Sequence, residues 1–299
     1  MWMNTDTTGT ERRAVATGSG GGEVRYHRRP DLPGIELRSV RSPARTILLY
    51  STGFEFLAPS TWCGEVWHRG RRGILGPGSV LSAHPGDVFA SERVLEDGSW
   101  SSLTIDADAI GSYVGDPSAW ERRQLRPFAP MSERLASDLF RVFQGLRSGA
   151  SRAEVQTRLG AFLETVSREL VETEAGERSS SPWGVARLAS RAAERFACFR
   201  RDAGARVPLD ELANETRRSR FQALRAFKRR FGLTPHLYQL RVRLGLAQKS
   251  LQAGELPANV AADLGFVDQS HFTRHFKRFV GVTPAKYARG ELAAAKRAG

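Results

Sequence analysis

The sequence predicts a two-domain α+β chain, with a β-barrel or sandwich carrying appended helices in its N-terminal part and an all-α domain built on a repeated helix pair in its C-terminal part. Three observations carry this. Short apolar runs punctuated by turn residues fill residues 24–105, the apolar spacing lengthens to that of a helix beyond Leu135, and a twelve-residue segment recurs in the last third of the chain. At 299 residues, and at roughly 150 residues per domain, the chain is long enough for two cores.

Residues 1–22 are rich in Thr, Gly, Ser and Arg and end in Gly20-Gly21-Gly22, so they read as a disordered tail. The runs Ile35–Val40, Thr46–Tyr50, Gly64–Trp67, Ser79–Ala83, Asp87–Ala90 and Trp100–Ile105 read as strands, with Gly76-Pro77-Gly78 and Pro85-Gly86 as turns between them. Many short strands at this spacing imply a sandwich or barrel. Leu135, Leu139, Val142, Phe143 and Leu146 then share one helical face, as do Val155, Leu159, Phe162, Leu163, Val166 and Leu170, with Ser148-Gly149-Ala150 between the two helices. The second stripe reads either as part of the domain's own core or as a homodimer seam. The polar stretch Glu172–Pro182 marks the boundary. The expected division is a tail 1–22, a β domain with two helices 23–174, a linker 175–184, a helical domain 185–290 and a tail 291–299.

Charge separates the two parts. The chain carries 45 Lys plus Arg against 32 Asp plus Glu; from Trp183 onward the counts are 23 and 9, a net of +14, which leaves a net of −1 for residues 1–182. One domain is built for a polyanion. No run approaches 18 consecutive apolar residues and the opening has no apolar block with a cleavage site, so a soluble, cytoplasmic protein without membrane contact is expected. Cys63 and Cys198 read as two buried small side chains in a reducing compartment.

The repeat aligns Phe227–Tyr238 on Phe276–Tyr287 without a gap, keeping Phe, Lys-Arg, Gly, Thr-Pro and Tyr in register, and it pairs Arg225 with Arg274. A looser match runs upstream from Leu212-Ala213 to Val260-Ala261. Each copy reads as helix, turn, helix, the second helix ending at Gly232 or Gly281, where glycine suits the left-handed C′ position. Pro208 suits the start of the first copy's opening helix. Ser219 with Gln222 forms a capping-box pattern, Asp268 is the N-cap of the other second helix, and Gly265 makes its turn. Thr-Pro after each copy starts a new helix, and the first, about Pro235 to Ala253, spans ~28 Å at 1.5 Å per residue.

A basic second helix in a helix-turn-helix is the element that enters a DNA major groove, and two on one stiff connector can reach adjacent grooves of double-stranded DNA. Arg217, Arg218, Arg220, Arg225, Lys228, Arg229 and Arg230 supply charge in the first copy, and Arg274, Lys277 and Arg278 in the second. The positions expected to meet DNA are Arg220, Phe221, Leu224, Arg225 and Lys228, with Gln269, Ser270, Thr273, Arg274 and Lys277. Arg can pair with guanine, Gln with adenine, and Phe or Leu can touch a thymine methyl. Phe221 and Leu224 read equally well as core residues, and the Arg side chains equally well as phosphate contacts.

Residues from about 185 to 290 resemble the DNA-binding domain of the AraC/XylS family of transcription regulators, most closely over Val260–Tyr287. The resemblance implies seven helices with two helix-turn-helix units joined by a long helix, and RNA polymerase as a partner. Copy one departs from the family pattern at Arg217, where a turn glycine is usual, and at Ala223, where a larger apolar residue is common. The N-terminal part resembles the cupin-like sensor domain of that family through Leu75–Val88, which implies binding of a small-molecule effector or dimerisation. Cupin enzymes hold a metal with several His and a carboxylate. Here His27, His68 and His84 stand isolated in sequence and read as structural, so neither catalytic residues, a metal nor a cofactor is expected. Trp62, Trp67, Phe54 and Phe56 read as core, with a pocket lining as the other possibility. The competing readings are a metal-dependent cupin enzyme tethered to DNA and an architectural DNA binder without sequence preference.

Overall fold

The computed structural model describes residues 23–42, 48–114, 120, 123–171, 213, 219–231 and 233–289. Both expected tails, the linker 175–184, Cys198, Pro208, Arg217, Arg218 and Gly232 lie outside them. Strands β1 (Glu23–Arg28), β2 (Ile35–Ser42), β3 (Leu48–Tyr50), β4 (Phe54–Pro59), β5 (Cys63–His68), β6 (Arg71–Leu75), β7 (Ser79–Ala83), β8 (Val88–Glu96) and β9 (Gly98–Ile105) are followed by a one-turn helix α1 (Ala107–Ile110) and by β10 (Phe128–Pro130). They form a six-stranded sheet in the order β1-β2-β9-β4-β7-β10 and a four-stranded sheet in the order β3-β8-β5-β6. Every neighbouring pair is antiparallel.

Of the two architectures expected, the sandwich is the one observed. Among the described residues no ladder joins the two sheets, so the edges β1, β10, β3 and β6 are not paired into a closed barrel. Four strands fell outside the expected runs. All six residues of β4 are buried, because one face of the larger sheet lies on helices and the other on the smaller sheet, and a strand covered on both sides shows no alternation. Strands β1 and β6 carry charge among their apolar residues, and β10 is three residues long.

Helices α2 (Glu133–Ser148) and α3 (Arg152–Glu169) form where the helical spacing predicts them. The hydroxyl of Ser132 accepts from the Leu135 amide at 3.0 Å, and Ser151 with Glu154 completes a capping box. The Val155, Leu159, Phe162, Leu163, Val166 and Leu170 stripe is buried to within 1% in the domain's own core, together with Ile35, Leu37, Phe56 and Leu103. It is therefore unavailable as a dimer seam: the helical period shows that a face is covered, and here the sheet covers it. A second core between the sheets contains Trp62, Leu81, Phe89 and Trp100. Trp62, Trp67, Phe54 and Phe56 are all core residues. Cys63 is a free thiol and half-buried, more open than expected.

The helical domain comprises α4 (Arg220–Phe231), α5 (Pro235–Gln252), α6 (Pro257–Asp263), α7 (Gln269–Val280) and α8 (Pro284–Ala288). It packs on the β1–β2 end of the larger sheet. The alternation of β1 turns Val24, Tyr26 and Arg28 toward this domain. Tyr26 joins the apolar cluster of Phe272, Phe276 and Tyr287, and its hydroxyl donates to the Val280 carbonyl at 2.8 Å. Beside it, the Glu36 carboxylate accepts from the Tyr287 hydroxyl at 2.8 Å and from Gln252 at 3.1 Å, and it pairs with Arg28 at 3.0 Å. Burial pushes the Glu36 carboxyl up, against the pull of Arg28. Arg241 of α5 enters the same face near the Arg38–Glu55 ion pair, and burial first, then Arg38, pulls its guanidinium down to about 9. Gly281 lies where a Cβ would meet Val24 Cγ2 at 2.8 Å, so the end of α7 seats on β1 only with glycine there.

Candidate nucleic-acid interface

Helix α4 starts at a reciprocal cap, with the Ser219 amide donating to Gln222 Oε1 at 3.1 Å and the Gln222 amide to Ser219 Oγ at 3.3 Å. It buries Ala223, Ala226 and Phe227, the last edge-on to Tyr238 of α5 at 5.6 Å. Ala223 is 1% exposed, so the small residue that departs from the family pattern is fully packed. The opposite face exposes Arg220, Phe221, Arg225, Lys228 and Arg229, with Leu224 half-buried between. Phe221 is 61% exposed, which overturns its reading as a core residue. The Arg225 guanidinium lies 4.2 Å from the centroid of the Phe221 ring, forming a cation–π pair at the surface.

The second copy is built more completely from local signals. Pro257 opens α6, and its exit is a Schellman turn: Gly265 at φ 67° donates to Ala262 O and Phe266 donates to Ala261 O, both at 3.0 Å. The Asp268 carboxylate then accepts from the His271 amide at 2.6 Å and starts α7. Phe272, Phe276, Phe279 and Val280 are buried. Gln269, Ser270, Arg274, Lys277 and Arg278 are exposed, and Thr273 is half-buried like its counterpart Leu224. Both copies thus present matched positions on one helical face, Arg220 with Gln269, Phe221 with Ser270, Leu224 with Thr273, Arg225 with Arg274 and Lys228 with Lys277. Thr234 and Thr283 cap α5 and α8 ahead of Pro235 and Pro284. At 18 residues, α5 is ~27 Å long and separates the copies as a rod.

Two groupings were not visible in the sequence. On α7, His271 Nε2 and His275 Nε2 are 3.0 Å apart, and burial, followed by His271 and the neighbouring Arg278 and Arg274, holds His275 below its ordinary range. The i, i+4 spacing was the available signal. In the β domain, His68 and His84 are not isolated: they approach Asp87 Oδ2 at 3.6 and 3.9 Å, brought together by the pairing of β5 with β8. Arg69 holds that carboxylate at 2.6 Å, and the ring nitrogens face the carbonyls of Val88, Ser82 and Arg123. Among the described residues no three His, Cys, Asp or Glu form a metal-ligand group, and no helix is long and apolar enough to cross a membrane.

The opening helix and turn of the first copy lie outside the described residues apart from Ala213; the second copy is a described helix, turn and helix, and the matched faces of α4 and α7 are those of a helix-turn-helix DNA-binding protein. Comparison with known proteins agrees. Residues 212–290 match the family described as "Helix-turn-helix domain". "Probable transcription factor PqrA" of Proteus vulgaris is 37% identical over 82 residues, 27% of this chain and 67% of PqrA. "Probable transcriptional regulator LumQ" of Photobacterium leiognathi is 43% identical over 70 residues, 23% of this chain and 27% of LumQ, so the match spans about a quarter of that regulator. Among solved structures, ToxT from Vibrio cholerae O395 aligns over 92% of this chain and 99% of ToxT at 15% identity and a TM-score of 0.48. The chain belongs to the AraC family of transcriptional regulators.

Proposed function

We propose that this chain is a sequence-specific transcription regulator whose helices α4 and α7 enter successive major-groove segments on one face of DNA, and whose β domain senses an effector. The observation that carries the reading is the pair of exposed, matched faces on two independently capped helices held apart by α5. Lys228 and Lys277, two turns into their helices, neutralise phosphate and set register. Gln269, Ser270, Thr273 and Arg274 offer hydrogen bonds to base edges, whereas Phe221 and Leu224 offer apolar contact beside Arg220 and Arg225. The two heads read by different chemistry. Contact with RNA polymerase and homodimer formation are carried by the family resemblance, and a homodimer uses a surface other than the α3 stripe.

The test selects bound fragments from sheared genomic DNA with the full chain, then compares their affinity with that of random DNA at several salt concentrations. Selected fragments should bind about 10³-fold or more tightly than random DNA, with steep salt dependence in both cases. Equal affinity for selected and random DNA would identify an architectural binder instead.

A further inference from the structure

A cavity of about 650 Å³ opens between the β1–β2 edge of the larger sheet and helix α2. Its two walls differ in chemistry. The sheet side and the last turn of α2 bring three guanidiniums, Arg25, Arg41 and Arg147, around one carboxylate, Glu23. Glu23 is engaged by Arg25 and sits opposite Arg41 in the β1–β2 register. The helix side is apolar, formed by Leu139 and Phe143, with Ala58 of β4 adding apolar surface at the sheet, and Phe140 stands at the rim with 62% of its surface exposed.

Arg147 is the distinctive group. Its Nη2 donates to Ser39 Oγ at 2.6 Å and to Ser101 Oγ at 3.3 Å, which aims the guanidinium, and it lies 5.8 Å from the Phe143 ring centroid. No carboxylate pairs with it among the described residues. Burial pulls its guanidinium below the ordinary arginine range, and burial with Arg147 and Arg25 does the same to the imidazole of His27 at the cavity wall. Arg147 is exposed to solvent at the cavity mouth and held only by neutral hydroxyls, and a charge-assisted hydrogen bond to an anion is stronger than these.

We propose that this cavity binds a small organic anion, its carboxylate on Arg147 and a compact apolar body against Leu139, Phe143 and Ala58. The proposal rests on the reading of the β domain as a sensor and supplies the chemical class of what it senses. A polar dianion without an apolar part would leave the α2 wall dry and unfilled, whereas a neutral body would leave Arg147 unpaired. The position has a consequence for the rest of the molecule. Glu23, Arg25 and His27 of β1 face the cavity, while Val24, Tyr26 and Arg28 of the same strand hold the helical domain.

Titration calorimetry on the full chain tests this with hexanoate and cyclohexanecarboxylate, each against its alcohol, and with inorganic phosphate. Both carboxylates should bind saturably at one site per chain, with each alcohol and phosphate weaker by tenfold or more. Arg147→Gln should weaken the carboxylates by about 10- to 150-fold, the range of a hydrogen bond to a charged group. Ala136→Phe, which fills the α2 wall from a half-buried position, should abolish binding while the chain stays folded by circular dichroism. Binding of neither carboxylate, alcohols or phosphate as tight as carboxylates, or Arg147→Gln as tight as wild type would each overturn the proposal. DNA affinity of the same preparations, measured in parallel, shows whether the regulator reading stands when the cavity assignment falls.

Discussion

Replacing Tyr26 by Phe should loosen the C-terminal end of α7, although Tyr26 lies some 250 residues away in the β domain. The last carbonyls of a helix have no partner within it, and the Val280 carbonyl receives its hydrogen from the Tyr26 hydroxyl at 2.8 Å, a side chain only 3% exposed. Phe keeps the ring edge-on to Tyr287 at 5.0 Å, so packing is preserved; the hydroxyl's contact with Arg38 is lost on the sheet side, and on α7 one buried acceptor is left unsatisfied, at a cost of about 1–3 kcal/mol. At a tenfold change per 1.4 kcal/mol, amides in the last turn of α7 should exchange with solvent roughly 5- to 150-fold faster. Burial pushes the Tyr26 hydroxyl up to about 12, so it remains a donor throughout the range where exchange is measured and the effect should not titrate. Hydrogen exchange read by mass spectrometry or NMR is the assay, with α3 as the internal reference. Unchanged exchange in α7, or an equal increase in α3, would refute the account of Tyr26 as the cap of this helix.

Arg274→Ala should cost about 1–3 kcal/mol at a selected site and relax preference at one base position, whereas Lys277→Ala should weaken all sequences alike and reduce the salt slope by about one; equal losses on cognate and random DNA for Arg274→Ala would make it a phosphate contact. Leu159→Ala should destabilise the β domain by about 2–5 kcal/mol, the cost of a cavity in a closed core, and leave the sedimentation of the native protein unchanged. His275, packed against His271, should make the chain acid-sensitive. The folded imidazole of His275 is held below its ordinary range, so as pH falls through about 6.5 the unfolded chain takes up its proton first and stability declines. The urea midpoint should fall between pH 7.5 and 5.5, and fall less in His275→Gln; parallel pH profiles would rule out this pair as a source.

How much was legible in the sequence depended on whether a signal was local. The second helix-turn-helix could be read almost residue by residue, because Gly265, Asp268, Gly281 and the Thr283-Pro284 step each dictate a backbone state without help from elsewhere. The apolar stripes of α2 and α3 were equally plain, yet the choice between the domain's own core and a homodimer seam for the second stripe needed the structure, since periodicity records that a face is covered and is silent about what covers it. Strand β4 escaped notice because burial on both faces erases alternation, and His68, His84 and Asp87 escaped because strand pairing brings them together. The exposure of Phe221 also needed the structure, since an aromatic at that spacing fits a core as well as a surface.

Strand β1 shows why the link between the two domains was out of reach of the sequence alone. Six residues, Glu-Val-Arg-Tyr-His-Arg, look like an undistinguished polar segment because neither alternating set is uniformly apolar. Once the strand is placed at the sheet edge, the two sets separate. One set, Glu23, Arg25 and His27, lines the cavity beside α2; the other, Val24, Tyr26 and Arg28, holds Gly281, Val280 and Tyr287 of the helical domain. A strand with a period of two cannot slide or twist on one face without moving the other. Val24 is within 2.8 Å of where a Cβ at Gly281 would lie, so there is no slack at this contact to absorb such a motion. The charge that faces the cavity and the ring that caps α7 are neighbours on one backbone, and a ligand acting on the first would reach the second through a single strand.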